Sequence, residues 1–282
     1  MEKPLNAAEC THLQKWWVAL QLLYDDALQG LDEVFESIGV PYMPMKGSYL
    51  ICAGIAHKIS ARHMADMDIL VHPEDYQKTI SLLSNHPHFE IRYPDPWFFE
   101  QAFFYIRGER KFNVELHCQL NRRERFRLPA QELFTRGYAQ TKVRWLPSAE
   151  DSLVILICHT LVHIANGIKD CVNEEMEVLI NQETFSWKVF LGIMESTGIM
   201  PFATALIKRC YFKKRSIENV TLKNYWWADL MLSLVPKRRR AGVYRVVYRA
   251  FAELFFVKDP LRLSCGWLFR KASLGNGSGC NC

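Results

Sequence analysis

The sequence has 282 residues, enough for one large domain or two modest ones. Apolar residues make up 49% and charged ones 23%, which excludes a disordered chain, and no apolar run reaches the roughly 18 residues of a membrane span. The net charge is +5, and Met1-Glu2-Lys3-Pro4 opens no secretory leader, so a cytoplasmic protein is expected.

Positions 11–38 are rich in Leu, Trp, Ala, Glu and Asp without Pro, which predicts one or two helices ended by Gly39 and Pro41. Tyr42-Met43-Pro44-Met45 predicts a short strand, and Pro44 suits an edge. After Lys46-Gly47-Ser48, the apolar stretch 49–55 predicts a helix entered through the Gly-Ser turn. The clearest strand is 65–71, with Met67, Ile69 and Val71 on one face and Asp66, Asp68 and Leu70 on the other. Pro73 marks the start of a helix that runs to about 84. Strands are predicted at 89–93, 102–106 and 111–118, with Gly108 and Glu109 turning a hairpin between the last two.

Beyond Pro147 the pattern is helical, with helices predicted at 149–166, 173–182, 186–197, 201–213, 224–235 and 241–257. The fold class is therefore α+β, with an α+β first half at 1–147 and an all-helical half at 148–282. Between Lys237 and Lys271, ten basic residues face only Glu253 and Asp259, a local charge of +8. A basic end of this kind suits a polyanion, yet an amphipathic helix docked on its own domain is the plainer reading. Nine cysteines without a CxxC pair, among them Cys52, Cys118, Cys158 and Cys210 in apolar segments, indicate reduced buried thiols rather than disulfides or a zinc ribbon. Cys280-Asn281-Cys282 ends a Gly-rich tail to which no role is given.

The chemistry centres on Asp66-Met67-Asp68. Two carboxylates two apart on a strand share a face, and their repulsion is relieved by a cation between them or by a proton. Mg²⁺, a hard ion that keeps room for phosphate oxygens, is the ordinary reason for such a pair. Glu115, set between apolar neighbours on another predicted strand, supplies a third carboxylate, and three could hold two metals that clamp an in-line displacement at phosphorus. Gly47 lets backbone approach a phosphate, Ser48 adds a hydroxyl, and Lys46 or Arg62 adds positive charge for pyrophosphate.

In order and spacing, these pieces resemble the DNA polymerase β-like nucleotidyltransferases. Met45-Lys46-Gly47-Ser48, then Arg62-His63-Met64-Ala65-Asp66-Met67-Asp68-Ile69-Leu70-Val71, then Val114-Glu115-Leu116-His117, look like the bacterial uncharacterised nucleotidyltransferase family. The likeness spans about 41–119 in motifs and extends loosely over the helical half. It implies a mixed sheet with flanking helices, with Asp66, Asp68 and Glu115 as catalytic metal ligands. Glu115 is alternatively the base for the acceptor. Gly47 and Ser48 would grip the triphosphate, and Lys46, Arg62 and His117 would line the site. The expected activity is transfer of a nucleoside monophosphate from an NTP to an acceptor, with two Mg²⁺ ions, or Mn²⁺ in their place, and release of pyrophosphate. The acceptor is a small molecule, sugar, peptide or protein; nucleic acid is a lesser alternative. A binding module of the same fold without turnover is the competing expectation.

Other residues carry blander readings. His159 and His163 lie one helical turn apart, but the glutamate of a zinc helix is missing, so a structural or pocket role is expected. Trp16-Trp17, Trp97-Phe98-Phe99 and Trp226-Trp227 read as core, and Arg122, Arg123, Arg125 and Arg127 as a solvated loop or a phosphate contact.

Overall fold

A computed structural model describes residues 7–59, 66–92, 100–120, 128–162 and 171–212, together with Leu222, Tyr225 and Ala228. A single long helix, α1 (Ala7–Ile38), opens the chain, where one or two were expected. It leads into β1 (Tyr42–Pro44) and α2 (Lys46–Cys52), and then β2 (Met67–Val71) and α3 (Tyr76–Ser84). Next come β3 (Phe89–Ile91), β4 (Glu100–Arg107) and β5 (Arg110–His117). A short helix, α4 (Ala130–Arg136), and a small ribbon of β6 (Tyr138–Ala139) and β7 (Trp145–Leu146) precede the helical half. That half holds α5 (Ala149–Val162), α6 (Cys171–Ile180), α7 (Trp187–Thr197) and α8 (Met200–Ile207), the last running into a π-turn at Lys208–Phe212. Apart from Tyr225 and Ala228, the helices expected at 224–235 and 241–257, the basic C-terminal stretch and the Cys280/Cys282 tail lie outside the described residues.

The five main strands form one mixed sheet in the order β1-β2-β5-β4-β3. β2 and β5 are parallel and every other neighbouring pair is antiparallel. Pro44 does sit on an edge strand, where its missing N–H breaks no second ladder. The α+β expectation is met.

Alternation along the strands sorts the side chains into two faces. Phe112, Val114 and Leu116 of β5 and Phe103 and Tyr105 of β4 lie on one face and are buried. That face packs on α1, whose Tyr24 meets Phe112 edge-on with ring centroids 6.1 Å apart. The crossing is close because of Gly30: a Cβ there would fall 2.0 Å from the Tyr105 hydroxyl. The opposite face carries Asn113, Glu115 and His117 of β5, with Asp68 beside them on β2, and holds the candidate site.

α5 is the axis of the helical half and packs against α2, α6, α7 and α8. Leu153, Val154, Ile155, Leu156, Ile157, Cys158 and Leu161 are all buried, so this helix is apolar on every side, as a central helix must be. Its start is capped by a side chain: the Ser148 hydroxyl accepts from the Asp151 N–H at 3.0 Å, and the same hydroxyl donates to the Asp151 carboxylate at 3.1 Å. Glu150 accepts the Ser186 N–H at 2.5 Å, which ties the start of α7 to the start of α5. Among the described residues, Cys52, Cys158 and Cys210 are free thiols, and burial pushes each above its ordinary range. No helix among the described residues is long and apolar enough to cross a membrane.

Candidate active site

The site is built by strand register. In the parallel pair β2–β5, Asp68 lies directly opposite Glu115 and Leu70 opposite His117. Register partners in neighbouring strands share a face, so Asp68, Glu115 and His117 project together. One ligand atom of each, a carboxylate oxygen or an imidazole nitrogen, lies within 4.8 Å of the other two. Glu115 is thus on the same side of the sheet as Asp68, as three converging carboxylates required.

Lys46 enters from the other neighbour. The Met45 N–H donates to the Asp68 carbonyl at 2.9 Å, which carries the β1–β2 ladder one residue past the strand and sets Lys46 beside Asp68. The chain then turns abruptly into α2, and Lys46 absorbs the turn with φ at +51°, the left-handed region. Its ammonium meets Asp68 Oδ1 at 2.5 Å, and the Nε2 of His117 lies 3.1 Å from the same oxygen. The left-handed residue at this corner is Lys46, and Gly47 and Ser48 are already helical and buried. The helix therefore starts three residues earlier than the apolar pattern indicated. The Ser48 hydroxyl has no hydrogen-bond partner among the described residues.

Each ionisable group answers to this crowding. Burial raises the Asp68 carboxyl, but the Lys46 ammonium and His117 outweigh it and hold the group well below the usual carboxylate range. Burial pulls the Lys46 ammonium down, yet Asp68, with help from Glu115 and Asp66, lifts it above its ordinary value. Glu115 moves the other way. Burial, then the charges of Asp68, Glu100 and Asp66, push it up to about 7 against the pull of Lys46. One carboxylate is fixed as an anion while its neighbour keeps its proton to near-neutral pH.

Asp66 stands just before β2, half-buried, and its charge reaches both Lys46 and Glu115. Its carboxylate is not one of the three ligand groups that converge; His117 takes that place. Arg62 falls outside the described residues, as do Arg122, Arg123, Arg125, Arg127 and His163. One acidic neighbour had no place in the expected strands. Glu100, at the start of β4, is the register partner of His117, and its Oε2 lies 3.9 Å from His117 Nδ1. Its position was implicit in the hairpin, because a turn at Gly108 and Glu109 that pairs Arg107 with Arg110 also pairs Glu100 with His117.

A family described as "Uncharacterised nucleotidyltransferase" matches residues 10–226, well over half of the chain. The chain belongs to this nucleotidyltransferase family. No curated protein and no solved structure matches it. The matched span takes in the sheet, the site and the described helices from α5 to α8. In this member of the family, a buried Asp68, a neighbouring Glu115 and an imidazole make a donor set that could hold a divalent cation.

Proposed function

We propose that the chain is a metal-dependent enzyme that moves a nucleoside monophosphate from an NTP to an acceptor hydroxyl or similar group and releases pyrophosphate. The observation that carries this reading is the register match of Asp68 with Glu115 on parallel strands, beside a lysine that turns into a helix. Two divalent ions, Mg²⁺ or Mn²⁺, would supply activation of the attacking oxygen and neutralisation of the leaving one. Asp66, Asp68 and Glu115 would hold them. Asp68, anionic and held by Lys46, offers a carboxylate already in place. Glu115, opposite Asp68 on the parallel strand, would alternatively act as the base that takes the acceptor's proton. Lys46 would exchange part of its hold on Asp68 for the charge of the triphosphate, and Gly47, Ser48 and Arg62 would complete the grip. The acceptor is a small metabolite, sugar, peptide or protein side chain, and the compartment proposed is the cytoplasm.

The test is incubation with each α-labelled NTP and divalent ion in native lysate, followed by isolation of the labelled acceptor. Label transfer should fall at least ~100-fold in Asp68→Asn, as removal of a charge-stabilising group at a phosphoryl site does. Full transfer by Asp68→Asn with the natural acceptor would sink the mechanism. Tight ion-dependent NTP binding without pyrophosphate release under any acceptor would make the fold a binding module instead.

A further inference from the structure

His117 is the least expected member of the cluster, and its surroundings give it a specific task. Its side chain is 5% exposed, yet Nδ1 has no hydrogen-bond partner among the described residues. Nε2 points into the carboxylates, 3.1 Å from Asp68 Oδ1 and 3.9 Å from Glu115 Oε2. Donors on adjacent corners of an octahedral ion with bonds of ~2.1 Å lie ~3 Å apart, so the Asp68–His117 spacing already suits two ligands of one ion. On the far side of the ring, Glu100 Oε2 stands 3.9 Å from Nδ1, too far for a hydrogen bond but on a side chain that is one-third exposed and able to close the gap.

We propose that His117 is a direct ligand through Nε2, so that the centre is a mixed nitrogen–oxygen site. In this arrangement Glu100 is the positioning residue that accepts the Nδ1–H and leaves the Nε2 lone pair for the ion. The inference rests on the metal-dependent reading above and deepens it. A metal-bound histidine commonly donates its other ring N–H to a carboxylate, which fixes both tautomer and ring orientation. Glu100 is the carboxylate in place to do this, and it answers the otherwise unpaired Nδ1. An imidazole in the set also bears on the choice of ion. Mg²⁺ favours all-oxygen ligands, whereas Mn²⁺ stands higher in affinity for nitrogen, so the site should favour Mn²⁺ over Mg²⁺.

The test is pulsed EPR of the full chain loaded with Mn²⁺, with binding measured by titration. The wild-type spectrum should show nitrogen coupling from one imidazole, and Asp68→Asn should abolish binding at this site. His117→Gln should remove the coupling and shrink the preference for Mn²⁺ over Mg²⁺ about tenfold. Glu100→Ala should weaken Mn²⁺ binding about tenfold, and Glu100→Gln, whose amide oxygen still accepts the Nδ1–H, should recover most of it. Because the decisive spectrum is that of the wild type, a misfolded variant does not blur the result. Asp68-dependent Mn²⁺ binding without nitrogen coupling would overturn the proposal and leave the nucleotidyltransferase reading intact. Absence of Mn²⁺ and Mg²⁺ binding by the wild type, with and without NTP, would overturn both.

Discussion

Lys46 holds a left-handed backbone conformation that costs a residue with a Cβ about 1 kcal/mol, and glycine sits one position further on. What holds it there is the Asp68 carboxylate, whose side chain is 3% exposed and would otherwise be a buried charge short of partners. Lys46→Met should therefore lower metal-free stability by about 3 kcal/mol, at the low end for a broken buried pair because His117 still reaches Asp68. Lys46→Gly loses the same ammonium but relaxes the turn, and should fall about 1 kcal/mol less. Urea denaturation of both variants checks the pair; equal losses would mean that the left-handed turn stores no strain. The carboxylates were legible in the sequence because Asp-x-Asp on an alternating strand declares its own face. Lys46 and His117 were expected to line the site from the family likeness, and their contacts with Asp68 were not legible. Lys46 and His117 meet it through pairings between strands 22 and 49 residues apart along the chain, and no local pattern encodes those registers.

Elements that repeat a period announce themselves, and those pinned by single contacts do not. β2, β4 and β5 follow from alternation and from one turn at Gly108 and Glu109. The helices from α5 to α8 follow from apolar spacing, and Ser148 and Ser186 mark two starts by their caps. In contrast, α4 and the β6–β7 ribbon, only seven and two residues a piece, carry too few positions to show a period. They are held from outside. Arg136, at the end of α4, grips the Asp151 carboxylate at the start of α5 through both Nε and Nη2, at 3.0 and 2.8 Å. Asp151 is fully buried, whereas the Arg136 side chain is 29% exposed, and the asymmetry sets the order of effects. Arg136→Met strands a buried anion and should cost about 3–4 kcal/mol. Asp151→Asn keeps the shape and leaves a guanidinium that water can reach, and should cost about 1–2 kcal/mol. Chemical denaturation of the two variants should give that order, and the reverse order would show that the Ser148 cap, not the ion pair, secures this junction.

At the scale of the whole molecule, the two halves share one continuous apolar cluster that runs from Leu28 and Phe35 of α1 through the sheet to Ile157 of α5 and Leu206 of α8. Against that common core the site is the place where the fold carries an electrostatic cost, and pH exposes it. Glu115 has an ordinary value of 4.5 and is raised to about 7 in the fold. A raised group contributes stability that is complete below its unfolded value and is lost as pH climbs through the folded one. Asp68 has the opposite sign: it is held low, its contribution is complete above its ordinary value of 3.8, and it drains away only in stronger acid. Between pH 5 and 8, then, Glu115 is the member of this pair that changes, and without metal it should make the protein less stable as pH rises. A divalent ion takes the place of the proton, so the rise in Tm on adding Mn²⁺ should be small at pH 5 and larger at pH 8. In Glu115→Gln the metal-free Tm should lose this part of its pH dependence, because the amide never ionises. Differential scanning fluorimetry of wild type and variant, with and without Mn²⁺ across that range, decides the matter. If the wild type and Glu115→Gln trace parallel curves of Tm against pH, the charge repulsion at the centre of the sheet is not what the ion relieves.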